Sequence, residues 1–391
     1  MLSPAISAGA SLSSIGRYGV LACAFLSILL RGNSTRFNQM TMVTILLGVF
    51  LVIHSMFVSP IEDVSVLKAL SWMVAMVTII SAWHGLLPSE QKRVSTQLFL
   101  WLTLVVIISL PLIASPLGYL TNGTGFQGVL NQPQAFGAMV ALLGAWAASQ
   151  MFGEKNPTWL EILLVGGCLF LILLSESRTA GLALVLGVVI GGFTVPFLSG
   201  KSVREVLPGL RNKRVQMVVM FAFMGLIFSG PVLSSITGDY IAKRSTAQSF
   251  AAVYEESRGM LIWQMLENIQ DSPLFGLGFG IASDPYSMFI SRDPIFGLPM
   301  GAPVEKGVMP LAVLEELGIV GFLLVAVWLW MILKRSSFGG MAPVTVAYTV
   351  LLLNMGESTL FSPGGFGLLS LILLGWALSC GKCAKVRSDL S

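Results

Sequence analysis

This sequence predicts an all-α, polytopic membrane protein: about eleven transmembrane helices, within bounds of ten to twelve, and one large outer loop. Three observations predict it. Of the 391 residues, 55% are hydrophobic and only 11% charged, whereas soluble domains carry about 25% charged residues. Apolar runs long enough to cross a hydrocarbon core recur along the chain. Basic residues collect in alternate loops, as the positive-inside rule requires of cytoplasmic segments. The net charge of +4 is therefore a signal of topology, and no nucleic-acid partner is expected.

The apolar runs fall at 12–30, 41–58, 67–84, 98–115, 134–152, 159–175, 179–198, 215–236, 308–333, 341–357 and 364–380. The first is expected to be a retained span, because Met1 to Ala10 lacks the basic region of a cleavable signal peptide. The loop from Gly200 to Arg214 carries Lys201, Arg204, Arg211, Lys213 and Arg214 against Glu205, which assigns it to the cytoplasm. Alternation then brings Arg31, Arg36, Lys92, Arg93, Lys155, Lys334, Arg335 and the tail residues Lys382, Lys385 and Arg387 to the same side. The acidic loop with Glu62 and Asp63 falls outside. An outside N-terminus and an inside C-terminus follow.

The four cysteines suggest no redox or zinc site. Cys23 and Cys168 lie within apolar runs, where thiols act as small hydrophobes. Cys380 and Cys383 have Cys-x-x-Cys spacing but no second pair or histidine to complete a ligand set.

Residues 1–391 read as a single membrane domain, with 237–307 as a large outer loop inserted between spans. Within that loop, Ser257 to Gln270 reads as an amphipathic helix, with Ile262, Met265, Leu266 and Ile269 at helical spacing. Asp271-Ser272-Pro273 stops it. Gly276, Gly278 and Gly280 then form a tight turn. They do not form a dinucleotide fingerprint, since a helix rather than a strand precedes them. A second outer loop, 118–133, is a flexible polar stretch with Asn122-Gly123-Thr124-Gly125 and Asn131-Gln132-Pro133.

The candidate site residues lie on this outer side. Glu176-Ser177-Arg178 recurs as Glu256-Ser257-Arg258, each time followed by small residues and a helical apolar run. An arginine at a helix start is unfavourable by a few tenths to ~1 kcal/mol unless an anion offsets it and the helix dipole together. Two such arginines suggest an anion site, and paired guanidinium forks suit a diphosphate. The plainer reading of each is an interfacial arginine reaching lipid headgroups. His54 and His84, within or at the ends of spans, read as structural. No outer histidine is available for a Ser-His-Asp triad. Glu315 and Glu316 lie one to two turns into the span 308–333, an expensive position that calls for packing partners or a cavity floor.

Four stretches resemble the O-antigen ligase and polymerase family, bacterial membrane glycosyltransferases that act on undecaprenyl-diphosphate-linked sugars. They are Asn131-Gln132-Pro133; Ser177-Arg178-Thr179-Ala180; Arg258 and Trp263 followed by Asp271-Ser272-Pro273-Leu274-Phe275-Gly276-Leu277-Gly278; and Glu316-Leu317-Gly318-Ile319-Val320-Gly321. They stand in the family's order across roughly the C-terminal two thirds. The resemblance implies a GT-C-like fold in the bacterial inner membrane and a metal-independent, inverting transfer on the periplasmic face, without a cofactor. It implies that Arg178 and Arg258 hold the donor diphosphate, with Asn131, Ser177, Ser257 and Gly278 as further substrate-binding positions. The family's ligases carry a His-Asn pair where this chain has Gly307-Val308. That departure favours the polymerase branch, with Glu305, the nearest carboxylate, as the expected base. Expected partners are the lipid-linked oligosaccharide as donor and acceptor, membrane lipids, and chain-length-regulator and flippase proteins. The alternatives are a ligase that moves glycan to lipid A-core or protein, and a lipid-linked sugar flippase or transporter.

Overall fold

The computed structural model describes residues 38–121, 123–228, 250–292, 297, 299–304 and 306–388, with residues 19, 22, 23, 25 and 26. For 222–228, 250–258, 300–301 and 382–388 it describes the backbone alone. The helices are α1 (Gln39–Val58), α2 (Glu62–His84), α3 (Pro88–Ser109, continued as a 3-10 turn to Ala114), α4 (Pro133–Gly153), α5 (Trp159–Leu174), α6 (Arg178–Ser199), α7 (Lys213–Phe228), α8 (Phe250–Asp271), α9 (Met309–Phe338), α10 (Met341–Leu353) and α11 (Gly365–Ser388). A two-stranded antiparallel hairpin, β1 (Ser291–Arg292) and β2 (Pro299–Gly301), lies between α8 and α9.

Among the described residues, six helices are long and apolar enough to cross a membrane: α1, α2, α3 with its extension, α4, α6 and α9. Helices α5, α10 and the first part of α11 are apolar but shorter. The protein is an all-α membrane protein.

Boundaries differ from the apolar runs where polar residues begin or end a helix. α3 starts at Pro88, well before the expected 98, because Pro88 takes the first helical position and Glu90 accepts from Leu87 N at 2.9 Å. α2 starts at Glu62, its first turn carrying two acids that suit the positive helix end. α10 stops at Leu353 rather than 357, because the Asn354 side chain accepts from Thr359 N (2.8 Å) and turns the chain. α8 begins at Phe250, ahead of the expected Ser257. The expected span 12–30 lies outside the described residues except at isolated positions, and the expected 215–236 is described only as far as Phe228.

α4 is the centre of the bundle. In its most apolar window 78% is buried within the protein, against 22% for α3. It packs on α5, α6 and α10, and α10 lies along α6. Small residues permit this approach. An added Cβ at Gly187 or Gly191 of α6 would overlap the hydroxyls of Thr349 and Thr345 on α10.

Alternation gives the bundle two distinct ends. One gathers Lys155, Asn212, Arg214 and Arg335: Asn212 Nδ2 donates to Lys155 O (3.1 Å), Arg214 to Pro157 O (3.2 Å) and Arg335 to Gln39 Oε1 (2.6 Å). The other end carries α8, the hairpin and the loops 115–132, 175–177 and 354–364; it is the cap end below.

At the cap end α9 is broken. Gly318 has φ +62° and ψ −171°, inside an otherwise helical run. The break opens Glu315 O, Glu316 O, Ile319 N and Val320 N, and the turn after α8 fills all four. Leu277 N and Gly278 N donate to Glu315 O and Glu316 O at 2.9 Å, while Pro273 O and Leu274 O accept from Ile319 N (2.9 Å) and Val320 N (3.5 Å). Irregular backbone at membrane depth persists only when protein or a water-filled cavity satisfies it. A side chain at Gly318 would collide with the Leu274 backbone. Gly276, Gly278 and Gly280, the expected tight turn, all have positive φ. The far side of that turn rests on α1 and α2: His54 Nε2 donates to Phe275 O (2.6 Å), Ser65 Oγ to Phe279 O (2.7 Å) and Lys68 Nζ to Gly280 O (2.6 Å).

Candidate functional site

An open cavity of about 320 Å³ lies at the cap end, around the N-terminus of α6. Three segments converge there. The loop before α4 and the helix's first turn supply Asn131, Gln132 and Gln134, the α5–α6 link and the start of α6 supply Glu176, Ser177 and Arg178, and the α10–α11 loop supplies Gly356, Glu357 and Thr359. Ala135, Ala138, Leu353 and Phe366 form apolar wall.

Each segment is held in place. The 118–133 loop, expected to be flexible, is tied down: Phe126 N donates to Leu174 O (2.9 Å), Thr121 N to Gln127 Oε1 (2.9 Å), and Thr121 Oγ1 to Asn131 O (2.7 Å). Gly137 of α4 lets the Ser175–Ser177 link lie close, since a Cβ there would overlap Ser177. In the link, Glu176 has φ +53°, the one positive φ outside glycine among the described residues. Its amide donates to Leu173 O (3.1 Å), which closes the end of α5, and its carboxylate accepts from Thr124 Oγ1 (3.2 Å). Ser177, 7% exposed, makes no side-chain cap on α6. The first bond inside α6 is Gly181 N to Ser177 O at 3.2 Å, and Arg178, Thr179 and Ala180 of its first turn line the cavity.

The third wall depends on Asn354, which is fully buried. Its Nδ2 donates to Val350 O (2.8 Å), its Oδ1 accepts from Thr359 N, and its carbonyl accepts from Met309 N (3.1 Å). Ser358 N donates to Lys306 O (3.0 Å). Gly356 packs so closely on Thr179 of α6 that a Cβ would overlap its side chain. Glu357 stands between these anchors.

Lys306 also carries a buried cluster behind the site. Its Nζ lies 2.6 Å from Glu315 Oε2 and 3.0 Å from Glu316 Oε1. These are ion pairs by distance, although the Nζ and Glu315 Oε2 angles fall outside hydrogen-bonding geometry. The remaining carboxylate oxygens take Asn268 Nδ2 (2.7 Å) and Gly280 N (2.7 Å). Glu315 and Glu316 therefore have the packing partners their depth requires.

Of the expected site residues, Asn131, Ser177 and Arg178 share the cavity. Ser257 and Arg258 lie in the first half of α8, where only the backbone is described. Glu305 lies outside the described residues, and its neighbour Lys306 turns into the buried cluster. Gly278 takes part in the docked turn, at φ +118° against Ser59, and is not part of the cavity wall. Sequence reasoning gave Glu357 and Thr359 no place here. Their signal was faint, a Gly-Glu-Ser-Thr run at the end of an apolar span. No protein-family model matches the chain, and no curated protein matches it significantly.

Proposed function

We propose that the protein is a polysaccharide polymerase of the O-antigen ligase and polymerase type, joining undecaprenyl-diphosphate-linked repeat units at the periplasmic face of a bacterial inner membrane. The observation that carries the reading is the cavity at the start of α6, where Arg178, Ser177 and Asn131 meet. A guanidinium at the start of a helix suits a diphosphate, because it neutralises the charge that grows as the sugar–phosphate bond breaks. Arg258, on α8, supplies the second fork in this reading. The acceptor hydroxyl attacks the anomeric carbon from the face opposite the diphosphate, inverting the configuration without a metal. In the same reading the bundle is GT-C-like, crosses the membrane about eleven times, and keeps its basic end in the cytoplasm.

The test is reconstitution of the purified protein with a synthetic lipid-linked repeat unit. A ladder of lengthening products, undiminished by EDTA, is expected. Transfer of one glycan to a lipid A-core acceptor without a ladder would assign a ligase instead, and transbilayer movement without new glycosidic bonds a flippase. Arg178→Ala and Arg258→Ala should each lower the rate by roughly 10²–10³, the usual loss for one charge-stabilising donor. Lysine should restore little, since it cannot form a bidentate fork.

A further inference from the structure

We infer that Glu357 is the group that takes the proton from the attacking hydroxyl. The inference rests on the polymerase reading and deepens it by naming a catalytic carboxylate. Sequence position alone pointed instead to Glu305.

Two acidic side chains line the Arg178 cavity among the described residues, Glu176 and Glu357. They stand in different settings. Glu176 belongs to the same link as Arg178, and its carboxylate accepts the Thr124 hydroxyl at 3.2 Å, a tie that holds the 118–133 loop against α5. Glu357 comes from the α10–α11 loop, which the fold holds at several points. Both polar atoms of the Asn354 side chain serve that loop or its helix end. The Lys306 carbonyl fixes Ser358 N, directly after Glu357, while Gly356, directly before it, is packed on Thr179. Loop residues held this way by a rigid scaffold are where function concentrates. The side chain itself is exposed to the cavity, as a group that must meet a mobile acceptor has to be.

An inverting transfer needs two roles, and the cavity lining offers a group for each. The leaving diphosphate sits at the α6 amides and Arg178, and the proton acceptor stands on the wall formed by α10 and α11. In the step itself, the acceptor oxygen forms a bond to the anomeric carbon as its proton passes to the Glu357 carboxylate. The bond from that carbon to the diphosphate oxygen breaks, and its electron pair leaves with undecaprenyl diphosphate. Atoms and charge balance with no further reagent.

The experiment compares wild type with Glu357→Gln, Glu357→Asp, Glu305→Gln and Glu176→Gln in lipid nanodiscs, measuring turnover of the lipid-linked repeat unit against pH and binding of undecaprenyl diphosphate alone. Glu357→Gln should lower turnover by roughly 10²–10⁴, the usual contribution of a general base, and flatten the acidic limb of the pH–rate profile. Its affinity for undecaprenyl diphosphate should stay within a factor of about three, because Arg178 and the α6 amides are untouched. Glu357→Asp should recover part of the rate and restore the acidic limb, which a purely structural role would not do. Turnover of Glu357→Gln within tenfold of an active wild type overturns the assignment, as does a large loss in Glu305→Gln or Glu176→Gln with Glu357→Gln unaffected. A wild type that forms no ladder overturns the polymerase reading, and this inference with it. If Glu357→Gln melts well below wild type, the rate of Glu357→Asp decides: turnover equal to wild type, or no better than Glu357→Gln, counts against the role.

Discussion

Glu176 occupies a left-handed backbone conformation that glycine adopts freely and that costs another L-residue roughly 1–2 kcal/mol. At the end of α5 this is the position where helices ordinarily place glycine. Glu176→Gly should therefore raise the unfolding free energy by about 1 kcal/mol, read as a higher melting temperature in detergent. The same change removes the carboxylate that accepts Thr124, so the 118–133 loop should become more open to proteolysis while the bundle grows more stable. A fall in melting temperature would show that the carboxylate contributes more than the backbone strain costs. At this scale the sequence was readable where a residue was unusual for its place. Arg178 stood out because a cation at a helix start is unfavourable. Glu357 did not stand out, since its position depends on Asn354, Lys306 and Thr179, which are far apart along the chain and meet only in the fold.

Among the elements, α9 is the one whose behaviour the apolar pattern misrepresents. Its residues read as one continuous span, and the Glu315-Glu316 pair that interrupts the apolar run signals buried charge rather than a break in the helix. The break arises because the Pro273–Gly278 turn competes for the same backbone groups, and two stretches noticed separately, one after α8 and one in α9, prove to be the two halves of a single contact. Gly318→Ala should cost about 3 kcal/mol or more, combining a positive-φ penalty with the collision against Leu274; the check is loss of the monodisperse peak in size-exclusion chromatography. Burial of the Lys306 cluster gives the next expectation. Lys306→Met leaves two carboxylates without their cation and should destabilise by about 3–5 kcal/mol, whereas adding Glu315→Gln and Glu316→Gln should recover much of that loss in a thermal melt. No recovery in the triple variant would mean that the cluster stabilises beyond charge balance.

For the whole molecule, the division into a basic end and a cap end predicts opposite exposure. Ser202→Cys should be labelled only from the cytoplasm and Tyr286→Cys, at a residue 94% exposed, only from the periplasm; the reverse pattern would invert the reading and remove the site from lipid-linked sugars presented outside. Helix class was legible because hydropathy acts locally, while the central position of α4 was not, since its apolar run looks like any other. The length of α10 has a further consequence. Its 13 residues, at 1.5 Å each, reach only about 20 Å through a hydrocarbon layer of about 30 Å. α10 alone therefore does not cross that layer, and the proposed function calls for the shortfall at the end carrying Glu357, so that the basin opens inside the leaflet. On that function, a substrate tethered to a polyprenyl tail drifts in from the side, its anchor never leaving the lipid, while the growing sugar chain departs upward into water.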